Sequence, residues 1–182
     1  MAMLFSSGCM TMSYNKDRAA YKEHLLRGQR YISSNKYDES VKEFTAALKM
    51  GKKINKSMVP LVMLGETHVR GNEIGEAAKI ADEAVKRWPK ESCAWELLGK
   101  VELKRNRLKD AEGSFEKALG LTKKKEDRKR ISSLISLTKG LRAYAQANMQ
   151  STKKHFSEIK NVKLARDTKS KAMKILGVDV DK

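Results

Sequence analysis

"CAWELLGKVELKRNRLKDAEGSFEKALGLTK", residues 93–123, holds two stretches with apolar residues at helical spacing, parted by the polar "KRNR" at 104–107. Set beneath it, "VPLVMLGETHVRGNEIGEAAKIADEAVKRWP" (59–89) superposes Gly65 on Gly99, Ala77 on Ala111 and Ala84 on Ala118, each 34 residues apart. A third stretch, "YKEHLLRGQRYISSNKYDESVKEFTAALKMG" (21–51), joins them through Gly28, Tyr31, Tyr37, Phe44 and Ala47, 37 residues ahead of their counterparts. Self-similarity at such a period marks a repeat architecture, in which each unit buries its apolar face against the next. Each unit reads as two amphipathic helices joined by a short polar turn: "SSNK" at 33–36, "RGNE" at 70–73 and "KRNR" at 104–107.

Packing explains the recurring residue types. Gly28, Gly65 and Gly99 lack a Cβ, so a partner helix can come close, at a cost of about 1 kcal/mol in helix propensity. Large side chains then fill the space beside them, and Trp95, Phe44, Phe115, Tyr31 and Tyr37 are expected as core pieces rather than a stacking platform for a ligand. Pro89 ends the second unit's last helix, because its ring interrupts the hydrogen-bond ladder.

These residues resemble the tetratricopeptide repeat. Trp95, Leu98, Gly99, Ala111, Phe115 and Ala118 follow its pattern best, and Leu64, Gly65, Ala77, Ala84 and Pro89 keep much of it, with His68 at the usual aromatic position. The first unit departs further, with His24 and Arg27 in place of the leading Trp-Leu pair and Ser40 for the first alanine. The resemblance implies an all-α, right-handed superhelical solenoid of helix-turn-helix units. Three repeats are expected at about 21–54, 58–91 and 92–125, inside a domain running over 17–182.

Downstream the pattern loosens. Residues 126–161 read as a degenerate fourth helix pair, with Ile131, Leu134, Ile135, Thr138 and Leu141 on one face and Gly140 and Phe156 repeating the small-large pairing. Residues 162–176 read as a Lys-rich capping helix, which would give the array a polar outer face.

Composition agrees with helices and narrows the function. The 182 residues are 40% hydrophobic and 34% charged, rich in Ala, Leu, Lys, Glu and Arg, with two prolines. No apolar run approaches the roughly 18–20 residues that cross a bilayer. Two cysteines, Cys9 and Cys93, give neither a disulfide framework nor zinc-ligand spacing. No glycine-rich phosphate loop is present, and His24, His68 and His155 fall in separate units. No catalytic constellation emerges, so neither an enzyme nor a bound cofactor is expected.

A binding role follows from the architecture. The first helix of each repeat would line a concave face. Its inward stripe reads Lys22, Leu25, Gln29 and Ile32, then Val59, Val62, Glu66 and Val69, then Cys93, Glu96, Lys100 and Leu103. Aliphatic ground with scattered charges suits an extended or helical peptide from a protein partner. Packing against neighbouring helices is the competing role for each aliphatic residue. A lysine-and-asparagine clamp for chaperone tails is not expected, since Leu25, Gln29, Met63, Cys93 and Leu97 stand at the matching positions.

Charge supplies a second reading. The net charge is +17, and residues 123–182 alone hold 17 Lys and Arg against 6 Asp and Glu. Lys123, Lys124, Lys125, Arg128, Lys129 and Arg130 form a dense run fit for phosphate, anionic lipid or an acidic protein. Nucleic acid is the less favoured ligand, because aromatics make up only 6% of the chain and are assigned to the core.

The N-terminus offers an address. "LFSSGC" (4–9) resembles the end of a bacterial lipoprotein signal, in which small residues precede a cysteine that takes the lipid. Ser7, Gly8 and Cys9 fit; Ser6 stands where leucine is usual, and the apolar segment upstream is short. The resemblance implies lipidation of Cys9, a tail and tether over 1–16, and a lipid-anchored scaffold facing the periplasm in a bacterial cell envelope. The alternative is a cytoplasmic adaptor whose basic C-terminal region binds nucleic acid or an acidic partner.

Overall fold

The computed structural model describes residues 6–158, and side chains from residue 15 onward. Among the described residues there are eight helices and no strand: α1 Ser6–Ser33, α2 Tyr37–Lys53, α3 Met58–Arg70, α4 Ile74–Arg87, α5 Ser92–Lys104, α6 Leu108–Leu121, α7 Lys125–Ala145 and α8 Met149–Ser157. They fall into two compact units divided between Trp88 and Pro89. Within the first unit α1, α2, α3 and α4 pack in chain order; within the second, α5, α6, α7 and α8 do so.

Glycine and phenylalanine positions lock three of the four pairs. A Cβ on Gly28 would come within 2.7 Å of the Phe44 ring, and one on Gly99 within 2.6 Å of the Phe115 ring. Gly140 meets Phe156 just as closely. Each glycine precedes its phenylalanine by 16 residues, so the fourth pair keeps the packing rule although its sequence has drifted. In the second pair Ala81 occupies the corresponding place and is fully buried. Phe44 and Phe115 are also fully buried, and Phe115 joins Ala111, Ala118, Ile131, Leu134 and Ile135 in the second unit's main core.

A shared backbone device turns the chain inside each pair. Asn35, Asn72, Asn106 and Ala147 adopt φ of 56°, 64°, 59° and 55°. The next amide reaches back five residues: Lys36 to Tyr31 O at 2.9 Å, Glu73 to His68 O at 2.8 Å, Arg107 to Glu102 O and Asn148 to Ala143 O at 2.9 Å. This left-handed closure satisfies carbonyls that the helix end leaves without partners, and asparagine tolerates it better than most residues. The polar turns read in the sequence are therefore helix C-caps of one type.

The structure alters one boundary. α1 begins at Ser6, so residues 6–16, expected as part of a tail and tether, are helical. No proline interrupts the chain before Pro60, and Asp17 lies 3.7 Å from Lys53 on α2, tying this part of the helix to its partner. The Cys9 side chain and the capping helix expected over 162–176 lie outside the described residues.

Candidate functional site

In the first unit, a cleft of about 590 Å³ opens where α1, the α2–α3 turn and the end of α4 converge. Tyr21 and Leu25 come from α1, Asn55, Lys56 and Ser57 from the turn, Met58 and Val59 from α3, and Arg87 and Trp88 from the end of α4. Asn55 takes the left-handed conformation, at φ 56°, and Lys56 N closes on Gly51 O at 2.7 Å. Buried Gly51 keeps the turn tight, because a Cβ there would lie 2.6 Å from Lys56 O.

The cleft joins apolar surface to positive charge. Leu25, Met58, Trp88 and the 45%-exposed Val59 supply aliphatic and aromatic faces. The Arg87 guanidinium sits 4.5 Å from the Trp88 ring centroid while also bonding Glu83 at 2.8 Å. Lys56 has no carboxylate partner among the described residues. Burial pushes the Tyr21 phenol above its ordinary range, so it stays protonated and neutral at physiological pH.

Of the twelve groove positions read from the sequence, Leu25 and Val59 are brought together at this cleft. Lys22 and Gln29 are exposed along α1, and Ile32 and Glu66 are half-buried. Val62 and Val69 are only 7% and 8% exposed, so they serve as packing residues rather than free surface. In the second unit Glu96 is 3% exposed and ion-paired with Lys100 at 2.9 Å and with Arg130 at 2.8 Å. Leu103 packs against both apolar clusters of that unit, and Cys93 is half-buried, with its thiol pKa raised first by desolvation. Trp88, Arg87 and Tyr21 were missed in the sequence reading. The Trp-Pro pair at 88–89 was the available signal, since it sets an aromatic ring at a helix end.

The basic run divides by role. Arg128 Nη1 donates to Leu119 O at 3.0 Å and Thr122 O at 3.2 Å, closing the end of α6, which has no basic residue in its own last turn. Arg130 is held by Glu96 and by Asp127, each at 2.8 Å. Lys129 pairs loosely with Glu126 at 3.5 Å. Lys123, Lys124 and Lys125 are exposed and have no carboxylate partner among the described residues.

Each histidine has a carboxylate neighbour: His24 with Glu43 at 2.7 Å, His68 with Glu73 at 2.5 Å and His155 with Glu158 at 3.4 Å. The first joins α1 to α2, the second spans the α3–α4 turn, and the third lies within the end of α8 and its C-cap. Among the described residues no three His, Cys, Asp or Glu side chains gather as a metal site would require, and no helix is long and apolar enough to cross a membrane.

Residues 62–126 match the family model of the tetratricopeptide repeat, a span that runs from α3 to the start of α7. Over that span the chain carries tetratricopeptide repeats. Comparison with curated proteins yields no match. Tetratricopeptide repeats are generally protein-interaction modules, and the paired helices with their Gly-Phe contacts are the scaffold of such a module here.

Proposed function

We propose that this tetratricopeptide repeat chain is a non-catalytic scaffold that binds a peptide segment of a partner protein, with the α1–α3–α4 cleft taking an apolar anchor side chain. The observation that carries this reading is the meeting of two groove positions, Leu25 and Val59, with Trp88, Lys56 and Arg87 in one cleft. Apolar walls supply burial, while Lys56, with no carboxylate partner among the described residues, favours a carboxylate next to the anchor. A cleft of about 590 Å³ accommodates a large side chain with its flanking backbone.

The test is a peptide library displayed against the full chain, followed by affinity measurement of the selected peptides. Leu25→Asp with Val59→Asp is expected to weaken binding by ~100-fold, equivalent to about 2.7 kcal/mol, with helical circular dichroism unchanged. Undiminished binding by that variant rejects the cleft as the anchor site.

The N-terminal residues support a second element of the proposal. Ser7, Gly8 and Cys9 suit a lipid-bearing N-terminus, which would confine the scaffold to a bacterial envelope membrane and raise its effective concentration toward partners there. Expression of the native gene, with any upstream start included, should give a lipid-sized mass increase that Cys9→Ala abolishes. An unmodified mass in both proteins rejects lipidation of Cys9.

A further inference from the structure

The second unit carries a cleft of its own, about 550 Å³, along the start of α7. Lys123, Lys125 and Lys129 supply cations, Ser132 a hydroxyl, and Glu158, just past α8, a carboxylate on the wall. We propose that this cleft docks an extended acidic segment of a partner protein, its side-chain carboxylates meeting the lysines and its main-chain N–H groups meeting Glu158. The site belongs to the second unit and the proposal does not depend on the first-unit cleft.

Three observations select this ligand. First, two of the cations, Lys123 and Lys125, stand on a fixed stretch of backbone without being neutralised. Arg128 fixes the connection by bonding Leu119 O and Thr122 O, and Lys124 N reaches Thr122 Oγ1 at 3.4 Å. Lys123 and Lys125 flank that point with no carboxylate partner among the described residues. Second, the wall includes an acceptor. Glu158 Oε2 is approached by His155 Nδ1 at 3.4 Å and Ser136 Oγ at 3.5 Å, both at the outer limit of hydrogen bonding, which leaves the carboxylate able to accept from a ligand. A nucleic-acid phosphate backbone presents acceptors and repels that carboxylate, whereas a peptide brings N–H donors as well as acidic side chains. Third, the surface is concave and is lined by side chains that end in charged or hydroxyl groups. A bilayer is flat and binds through inserted apolar side chains beside its cations, and the lining of this cleft has none.

The chain's own continuation does not complement the cleft. Residues 159–182 hold seven Lys and Arg against three Asp, adding positive charge to the sequence that follows Glu158. Residues 159–182 therefore do not supply the acidic segment.

The experiment uses the full chain and a fluorescein-labelled peptide of ten alternating Glu and Asp residues, followed by anisotropy at low and moderate salt. Lys123→Glu with Lys125→Glu is expected to weaken binding about tenfold. Lys52→Glu with Lys86→Glu, the same charge change on exposed positions of the first unit, is expected to change it less than about twofold. Equal loss in both variants overturns the proposal, because attraction would then follow net charge alone. Absence of peptide binding also overturns it. Tighter, Lys123- and Lys125-dependent binding of a ten-nucleotide DNA strand, or of phosphatidylserine vesicles, overturns it in favour of that ligand. Circular dichroism of both variants confirms that each is folded.

Discussion

In the first unit the deeply buried polar contacts are neutral: Ser40 Oγ lies 3.3 Å from Thr67 Oγ1, Ser40 donates to Gly28 O at 3.1 Å, and Thr67 donates to Met63 O at 2.8 Å. The second unit keeps a neutral contact of this kind, Thr138 donating to Leu134 O at 2.8 Å, and adds ionic ones. Glu96 is clasped by Lys100 and Arg130, Glu102 accepts from Ser114 Oγ at 2.7 Å, and Glu112 faces Arg142 at 2.7 Å and Lys139 at 3.5 Å. One repeat length earlier, those three glutamates correspond to Val62, His68 and Ala78. The same helix-pair scaffold thus accepts apolar residues, a histidine or ionic contacts at equivalent positions. The ionic version ties α7 to both α5 and α6, and it draws Arg130, Lys139 and Arg142 into structure.

The difference shows how a repeat's first-helix stripe divides between packing and recognition. Glu96 and Arg130 are 34 residues apart, one repeat length, so the pair joins equivalent helices of consecutive repeats. A residue on that stripe is free to bind a partner where no neighbour reaches it. Leu25 and Val59 meet that condition at the first-unit cleft, and Glu96 does not.

The largest expected effect tests what the units share. Phe44→Ala and Phe115→Ala each empty the space against a glycine and should each destabilise by about 3–5 kcal/mol, read by urea unfolding of the full chain. A cost below ~1 kcal/mol in one of them would show that its glycine contact does not support that unit.

A smaller effect tests the ionic contrast. Arg142→Ala leaves the buried Glu112 carboxylate without its nearest cation and should cost about 2 kcal/mol, below the range for a wholly buried pair because Arg142 is 40% exposed. Glu112 Oε2 lies off hydrogen-bond alignment with Arg142, so the attraction is mainly Coulombic. Replacing Glu112 by Ala as well should restore part of the loss; a double variant as unstable as the sum of both changes contradicts the pairing. Ser40→Ala in the first unit should cost about 1 kcal/mol, the scale of a neutral hydrogen bond.

Ala147→Gly probes the turn device in the pair whose sequence has drifted furthest. An alanine at φ 55° is disfavoured, so glycine should stabilise by about 1 kcal/mol, seen as a higher unfolding midpoint. A loss of stability would mean that the alanine methyl makes a contact outweighing its backbone strain.

The smallest effect concerns Cys93. Its raised thiol pKa means less thiolate at pH 8 than in an unstructured cysteine, so iodoacetamide should react more slowly there and speed up as pH rises further. In a Cys9→Ala background, a rate at pH 8 equal to that of a model thiol would contradict the burial of Cys93.

Much of the fold was legible because helical packing leaves local marks. Gly28, Gly99 and Gly140 stand 16 residues before Phe44, Phe115 and Phe156, and the polar turns recur at repeat spacing. The binding surface was less legible because neighbours decide it. Val62 and Glu96 look alike as stripe positions, yet both are buried, and nothing local to Glu96 announces Arg130 on the next repeat. Lys123 and Arg130 likewise belong to one charge run, but only tertiary partners separate the exposed cation from the structural one. Trp88 lies outside the first-helix stripe altogether and reaches the cleft from the end of α4.

The most direct test of the account is hydrogen–deuterium exchange on the full chain with and without a peptide selected by display. The account predicts that peptide slows exchange in the segments around Tyr21–Leu25, Asn55–Val59 and Arg87–Trp88. Protection that spares all three segments while the peptide is bound would contradict the first-unit cleft as the place where this scaffold holds its partner.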